Sequence, residues 1–95
     1  MSYRRGREFE YKVKRILEAH GFVVFRCAGS RPIDLIAFAP NRQIFFIECT
    51  RTSKDRATIE RQKALADRCG ATYVLISRKN YLEEVRKLLR SVGVS

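Results

Sequence analysis

Apolar residues follow two rhythms along this chain. Between Arg7 and His20 they recur at helical spacing, as Phe9, Val13, Ile16 and Leu17, and Gly21 follows as a stop. The period then shortens. "FVVFRCA" is β-branched and aromatic and ends in the loop "AGSRP", with Gly29, Ser30 and Pro32; "IDLIAFA" and "QIFFIECT" come next, joined by the short connection "PNR". These runs read as three strands, the second and third paired as an antiparallel hairpin. Beyond the basic, polar link "RTSKD", residues 56–69 read as a helix with Ile59, Ala64, Leu65 and Ala66 inward and Gly70 ending it. "TYVLIS" is a fourth strand, and Asn80 is placed to cap a last amphipathic helix bearing Leu82, Val85, Leu88 and Leu89.

This order predicts an α/β fold: a mixed central sheet of about four strands flanked by helices, with a right-handed parallel crossover between the third and fourth strands. The 95 residues are expected to form one domain, with no repeat, low-complexity segment or linker. No stretch approaches the roughly 20 apolar residues of a membrane-spanning helix. "MSYRRGREFE" lacks the hydrophobic region of a signal peptide, so the cytosol is the expected location.

Charge narrows the choice of partner. Twenty Lys and Arg stand against ten Asp and Glu, a formal net charge of +10, and 14 of the 20 cations are arginine. The planar guanidinium suits two-point phosphate contacts, which favours nucleic acid over a membrane surface or plain solvation. Cys27, Cys49 and Cys69 are widely spaced, form no CxxC pair and have only His20 to complement them. They read as small hydrophobes in a reducing compartment rather than zinc ligands. His20 reads as an end-group of the first helix, and Tyr73 and Tyr81 as packing residues. Phe45 and Phe46 read as core, with a dimer interface as the other use.

Strand alternation then singles out a constellation. Phe46, Glu48, Thr50 and Thr52 share one face of the third strand, and Phe45, Ile47, Cys49 and Arg51 the other. Asp34 interrupts an apolar run in the second strand, where a charge needs a partner or a task. In a hairpin, Asp34 and Glu48 can converge; a divalent cation between hard oxygen ligands would relieve their repulsion, and Mg²⁺ fits that chemistry. The plainer alternative is that both acids pair with arginines at the sheet's edge. Glu10, beside the apolar stripe of the first helix, can bring a third carboxylate, and Ser30 and Arg31 lie just before Asp34 in a loop suited to a phosphate.

In order and spacing, Glu10 within "YRRGREFE", "HGFVV", "RCAGSRPID" at 26–34 and "FIEC" at 46–49 resemble the archaeal Holliday junction resolvase family of the PD-(D/E)xK nuclease superfamily, over residues 3 to about 78. The resemblance implies a restriction-endonuclease-like fold of order αβββαβα. It also implies an Mg²⁺ site, with Mn²⁺ as a substitute, built from Asp34 and Glu48 with the main-chain carbonyl of Cys49, and with Glu10 completing the acidic cluster. By the same resemblance Ser30 lies near the scissile phosphate and Arg26 is the basic residue before it. Arg4 and Arg5 form a basic arm on the DNA backbone, and Arg7, Arg31, Arg51, Lys54 and Arg56 join the DNA-facing set. The implied activity is metal-dependent, structure-specific endonuclease cleavage of four-way DNA junctions, in recombination and repair, by a homodimer.

One departure matters. The superfamily commonly carries a lysine two residues beyond the strand acid, to orient the attacking water and stabilise the transition state; here that residue is Thr50. Lys54 has the right parity but follows the expected strand end, and Lys63 or Gln62 could enter from the next helix. The competing expectation is therefore a nuclease-fold protein that binds branched or duplex DNA with impaired catalysis. Tyr11 stands where many relatives have arginine, so Arg7 or Lys14 would have to supply that phosphate contact. A third reading, an RNA- or ribosome-associated protein, leaves the buried acids unexplained.

Overall fold

The structure is a computed structural model that describes residues 2–27, 32–51 and 53–93, with side chains from Arg7 onward. Helix α1 spans Ser2–Ala19, five residues longer at its start than the apolar stripe shows, so Arg4 and Arg5 belong to its first turns rather than to an arm. Phe9, Val13 and Leu17 form its buried stripe. Its end is a left-handed glycine cap. Gly21 sits at φ 90°, its N–H donates to the Glu18 carbonyl at 3.1 Å, and the Phe22 N–H donates to the Leu17 carbonyl at 3.1 Å. His20 Nδ1 lies 2.8 Å from the Ile16 carbonyl, a local bond at the helix end.

Four strands follow this cap: β1 Val23–Arg26, β2 Leu35–Phe38, β3 Ile44–Thr50 and β4 Thr72–Ser77. They form one sheet in the order β1-β2-β3-β4. The pairs β1–β2 and β2–β3 are antiparallel, and β3–β4 is parallel. Helix α2, Arg56–Arg68, makes the crossover from β3 to β4. Asp55 caps it, accepting the Thr58 N–H at 3.1 Å and the Thr58 hydroxyl at 2.7 Å. A 3₁₀ turn at Arg78–Asn80 leads into α3, Tyr81–Ser91.

Side chains sort by face as strand alternation requires. Phe45 and Ile47 of β3 join Val24, Leu35, Ala37 and Ile76 in a core closed by α1 and α3. On the opposite face Phe46 packs with Ile33 and Ala66 beneath α2. Both phenylalanines are buried within the chain, which removes them as dimer-interface candidates. Helix α2 covers only part of its face of the sheet: Val23, Phe25 and Phe38 stay 55%, 58% and 39% exposed.

Three sequence expectations are corrected. Ala64 is exposed, and the inward phase of α2 runs through Ile59, Gln62 and Ala66, spaced three and four apart. Leu82 is exposed because Tyr81 takes the inward place ahead of Val85, Leu88 and Leu89, its ring edge-on to Phe9 at 5.6 Å. Asn80 makes no side-chain cap to α3; the Ser77 hydroxyl instead accepts the Asn80 N–H at 3.3 Å at the 3₁₀ turn. A urea titration checks the packing. Leu17→Ala should lose about 2–5 kcal/mol, the usual cost of such a core truncation, whereas Ala64→Glu on the outer surface should stay within about 0.5 kcal/mol of the parent.

Candidate active site

The site stands where β2 begins and β3 ends. Register pairs Leu35 with Ile47, so the next step places Asp34 opposite Glu48. Asp34 is fixed by the backbone of two strands. Its carbonyl accepts the Cys27 N–H at 2.8 Å, its N–H donates to the Ile47 carbonyl at 3.2 Å, and its carboxylate Oδ2 accepts the Cys49 N–H at 2.8 Å. A side chain so held has little freedom, and only 4% of the residue is exposed.

Two more buried acids approach Asp34 from opposite layers. Glu10 comes from α1; its Oε1 accepts from Arg26 Nε at 2.9 Å, and its carboxyl shares a hydrogen bond with Asp34. Arg26 also lies over the Tyr11 ring, 5.5 Å from the centroid. Glu48 points to the α2 side, where Lys54 Nζ is 2.8 Å from its Oε2 and Gln62 adds a hydrogen bond. Gln62 in turn donates to the Pro32 carbonyl at 2.7 Å and accepts from the Tyr73 hydroxyl. Tyr73 is thus a network member as well as a packing residue.

The electrostatics follow from this crowding. Burial, then the Asp34 charge, raises the Glu10 carboxyl above its ordinary range, with Arg26 opposing. Burial likewise raises Glu48, opposed by Lys54 and reinforced by Asp34. Burial and then the charges of Asp34, Glu10 and Glu48 push the Cys49 thiol far up, so it is no thiolate ligand or nucleophile at neutral pH. Tyr73 is pushed up to about 12, by burial and then by Glu48 and Asp34. Among the described residues no group of three or more His, Cys, Asp and Glu stands arranged as a metal cage. Arg26 and Lys54 occupy the carboxylates instead.

The remaining predicted residues divide. Thr50 is buried at the last position of β3, beside Ser77 of β4. Arg51 is exposed just past the strand, while Arg7 and Arg56 are exposed on α1 and α2. Ser30, Arg31 and Thr52, and the side chains of Arg4 and Arg5, lie outside the described residues. Lys63 is exposed on α2 and Lys14 pairs with Glu18 at 2.8 Å, whereas Lys54 pairs with Glu48. Sequence reading placed Lys54 in the DNA-facing set and also held it, with Lys63 and Gln62, as a candidate to replace the missing lysine. The signal for Gln62 was a polar residue in phase with Ile59 and Ala66.

The sheet, its three helices and the buried acids at one end define a nuclease-type α/β fold. A solved VRR_NUC domain has the same fold, with a TM-score of 0.68 over 90% of this chain and 94% of that one, at 21% identity. The chain belongs to the archaeal Holliday junction resolvase family, whose model matches residues 1–88. It is similar to crossover junction endodeoxyribonuclease Hjc of Methanocaldococcus jannaschii, 43% identical over 60 residues, which are 63% of this chain and 44% of that protein. The match therefore spans less than half the length of that relative.

The two raised acids set a pH dependence. Each binds its proton more tightly when folded than at its ordinary value of 4.5, so the stability they contribute is complete below about that pH and is lost as pH rises through their raised folded values. Urea midpoints in EDTA should show Glu48→Gln gaining on the parent between pH 5 and 8; a constant difference would contradict the sign.

Proposed function

We propose that this chain is a metal-dependent endonuclease that cuts four-way DNA junctions. The observation that carries the reading is the convergence of Glu10, Asp34 and Glu48, from three elements, at one end of the sheet in a chain of net charge +10 and of this family. Family membership and the similar crossover junction endodeoxyribonuclease favour the junction as substrate. The arginine-rich surface, with Arg7, Arg51 and Arg56 exposed, suits the phosphates of a duplex arm.

The chemistry of the donors, rather than their present arrangement, suits Mg²⁺ or Mn²⁺. They are hard carboxylate oxygens, and burial with mutual repulsion raises two of the acids, strain that a dication would relieve. Asp34 and Glu48 would hold the ion. The Cys49 carbonyl would assist, since an extended residue directs its N–H and C=O to the same neighbour and the Cys49 N–H already meets Asp34. When bound, the ion lowers the pKa of a water and takes up charge on the phosphoryl oxygens. The chain's own part is positioning. The β2 and β3 backbone fixes Asp34, Gln62 and Lys54 fix Glu48, and Arg26 holds Glu10 beside them.

A second reading rests on Thr50, which puts no charge where the superfamily commonly has one: a junction-binding protein that does not cut. One assay separates the two. A labelled four-way junction with Mg²⁺ or Mn²⁺ should be cleaved by the parent and not by Asp34→Asn, while both bind it. If about six phosphates are neutralised, log K should fall with log salt at a slope near −5. Binding without cleavage by the parent would favour the second reading.

The reading includes a symmetric dimer. Val23, Phe25 and Phe38 form an exposed apolar patch on the terminal strand β1 and its neighbour β2, with the two phenylalanine rings edge-on at 6.1 Å, and a second copy would cover it. Sedimentation should give twice the chain mass for the parent and the chain mass for Phe25→Glu; a parent that sediments as a monomer at all concentrations would count against the dimer.

A further inference from the structure

The ion pair between Lys54 and Glu48 crosses a gap that strand geometry alone leaves open. Strand β3 ends at Thr50, and Asp55, four residues after Arg51, is already the cap of α2. Lys54 sits immediately before this cap. Its side chain folds back to bring Nζ within 2.8 Å of Glu48 Oε2. Glu48 and Thr50 share a face of β3 and lie two residues, roughly 6–7 Å, apart. The Lys54 ammonium therefore occupies the α2-side surface beside Glu48, the surface that a lysine at position 50 would also serve.

Exposure gives this charge an orientation. The Lys54 side chain is 34% exposed and that of Glu48 only 6%, so the lysine is the solvent-accessible partner of the pair. Lys63 projects outward from α2, and Arg51 is exposed beyond the strand end.

We propose that Lys54 is the cation that contacts the reacting phosphate, supplying from the link before α2 the charge that Thr50 lacks. Glu48 and the Asp55 cap act as positioning residues for it. This rests on the endonuclease reading. In the hydrolysis, a water oxygen bonds to phosphorus and one P–O ester bond breaks. The water's proton passes to solvent, and the leaving oxygen takes a proton from solvent. Lys54 remains protonated throughout and neutralises charge on the phosphoryl oxygens. Removing one such preorganised contact lowers rates on the order of 10²- to 10³-fold.

The test compares single-turnover cleavage and junction affinity for the parent, Lys54→Met, Lys54→Arg and Lys63→Ala, with Mg²⁺ saturating. Lys54→Met keeps the aliphatic stem. It should cut about 10²-fold more slowly, with a junction Kd within threefold of the parent. Lys54→Arg should recover at least tenfold of that loss, and Lys63→Ala should cut like the parent. Cleavage by Lys54→Met within threefold of the parent would overturn the proposal while leaving the endonuclease reading intact, as would a rate loss matched by lost affinity or left unrecovered by Lys54→Arg. A parent that binds junctions but does not cut them would overturn both.

Discussion

Three carboxylates buried within one small sheet end are the constraint on which the rest of this structure turns. An isolated buried charge is costly, and like charges side by side more so. The fold answers with a different partner for each acid. Asp34 takes a main-chain N–H from β3, Glu10 takes Arg26 from β1, and Glu48 takes Lys54 and Gln62 from the α2 side. The partners reach their places only if the β2–β3 register is right. A slip of one residue would move Glu48 to the α1 face, into the apolar layer now held by Phe45 and Ile47.

The two faces of the sheet are built unequally around that end. Helices α1 and α3 close one face with a continuous apolar core, which fixes the strands and carries Glu10 in on a buried helix. On the other face α2 contributes only a small apolar cluster, so much of its seat is polar: Gln62 links the Pro32 carbonyl, Glu48 and Tyr73. That polar seat ties the segment leading into Asp34 to the helix that follows Glu48. It couples the two acids through side chains as well as through the ladder.

Much of this was legible in the sequence where local periodicity and tertiary packing agree. The four strands, the hairpin, the crossover and the glycine stops all follow from two short-range patterns, and pairing Asp34 with Glu48 needs only the hairpin. Reading failed where the deciding contact is distant. Ala64 and Leu82 are apolar but out of phase with the stripes that pack, whereas Gln62 and Tyr81 are in phase. Asn80 has the chemistry of a cap but is the last residue of a 3₁₀ turn that Ser77 caps. Strand parity gave Lys54 the right face but could not carry it to Glu48, because the strand ends at Thr50.

A lysine on a strand and a lysine on a link are held in place by different means. A strand residue inherits its direction from the pleat, and its ladder bonds fix the stem. A link residue must be ordered by its neighbours, at a conformational cost of about 1–2 kcal/mol per backbone residue. Here the Asp55 cap, the very next residue after Lys54, supplies part of that order. Glu48 supplies the rest by fixing the ammonium. On the proposed role of Lys54, the cap of α2 becomes part of the apparatus that aims a charge at the site, and exchanging a strand lysine for threonine would be tolerable only while that cap is kept.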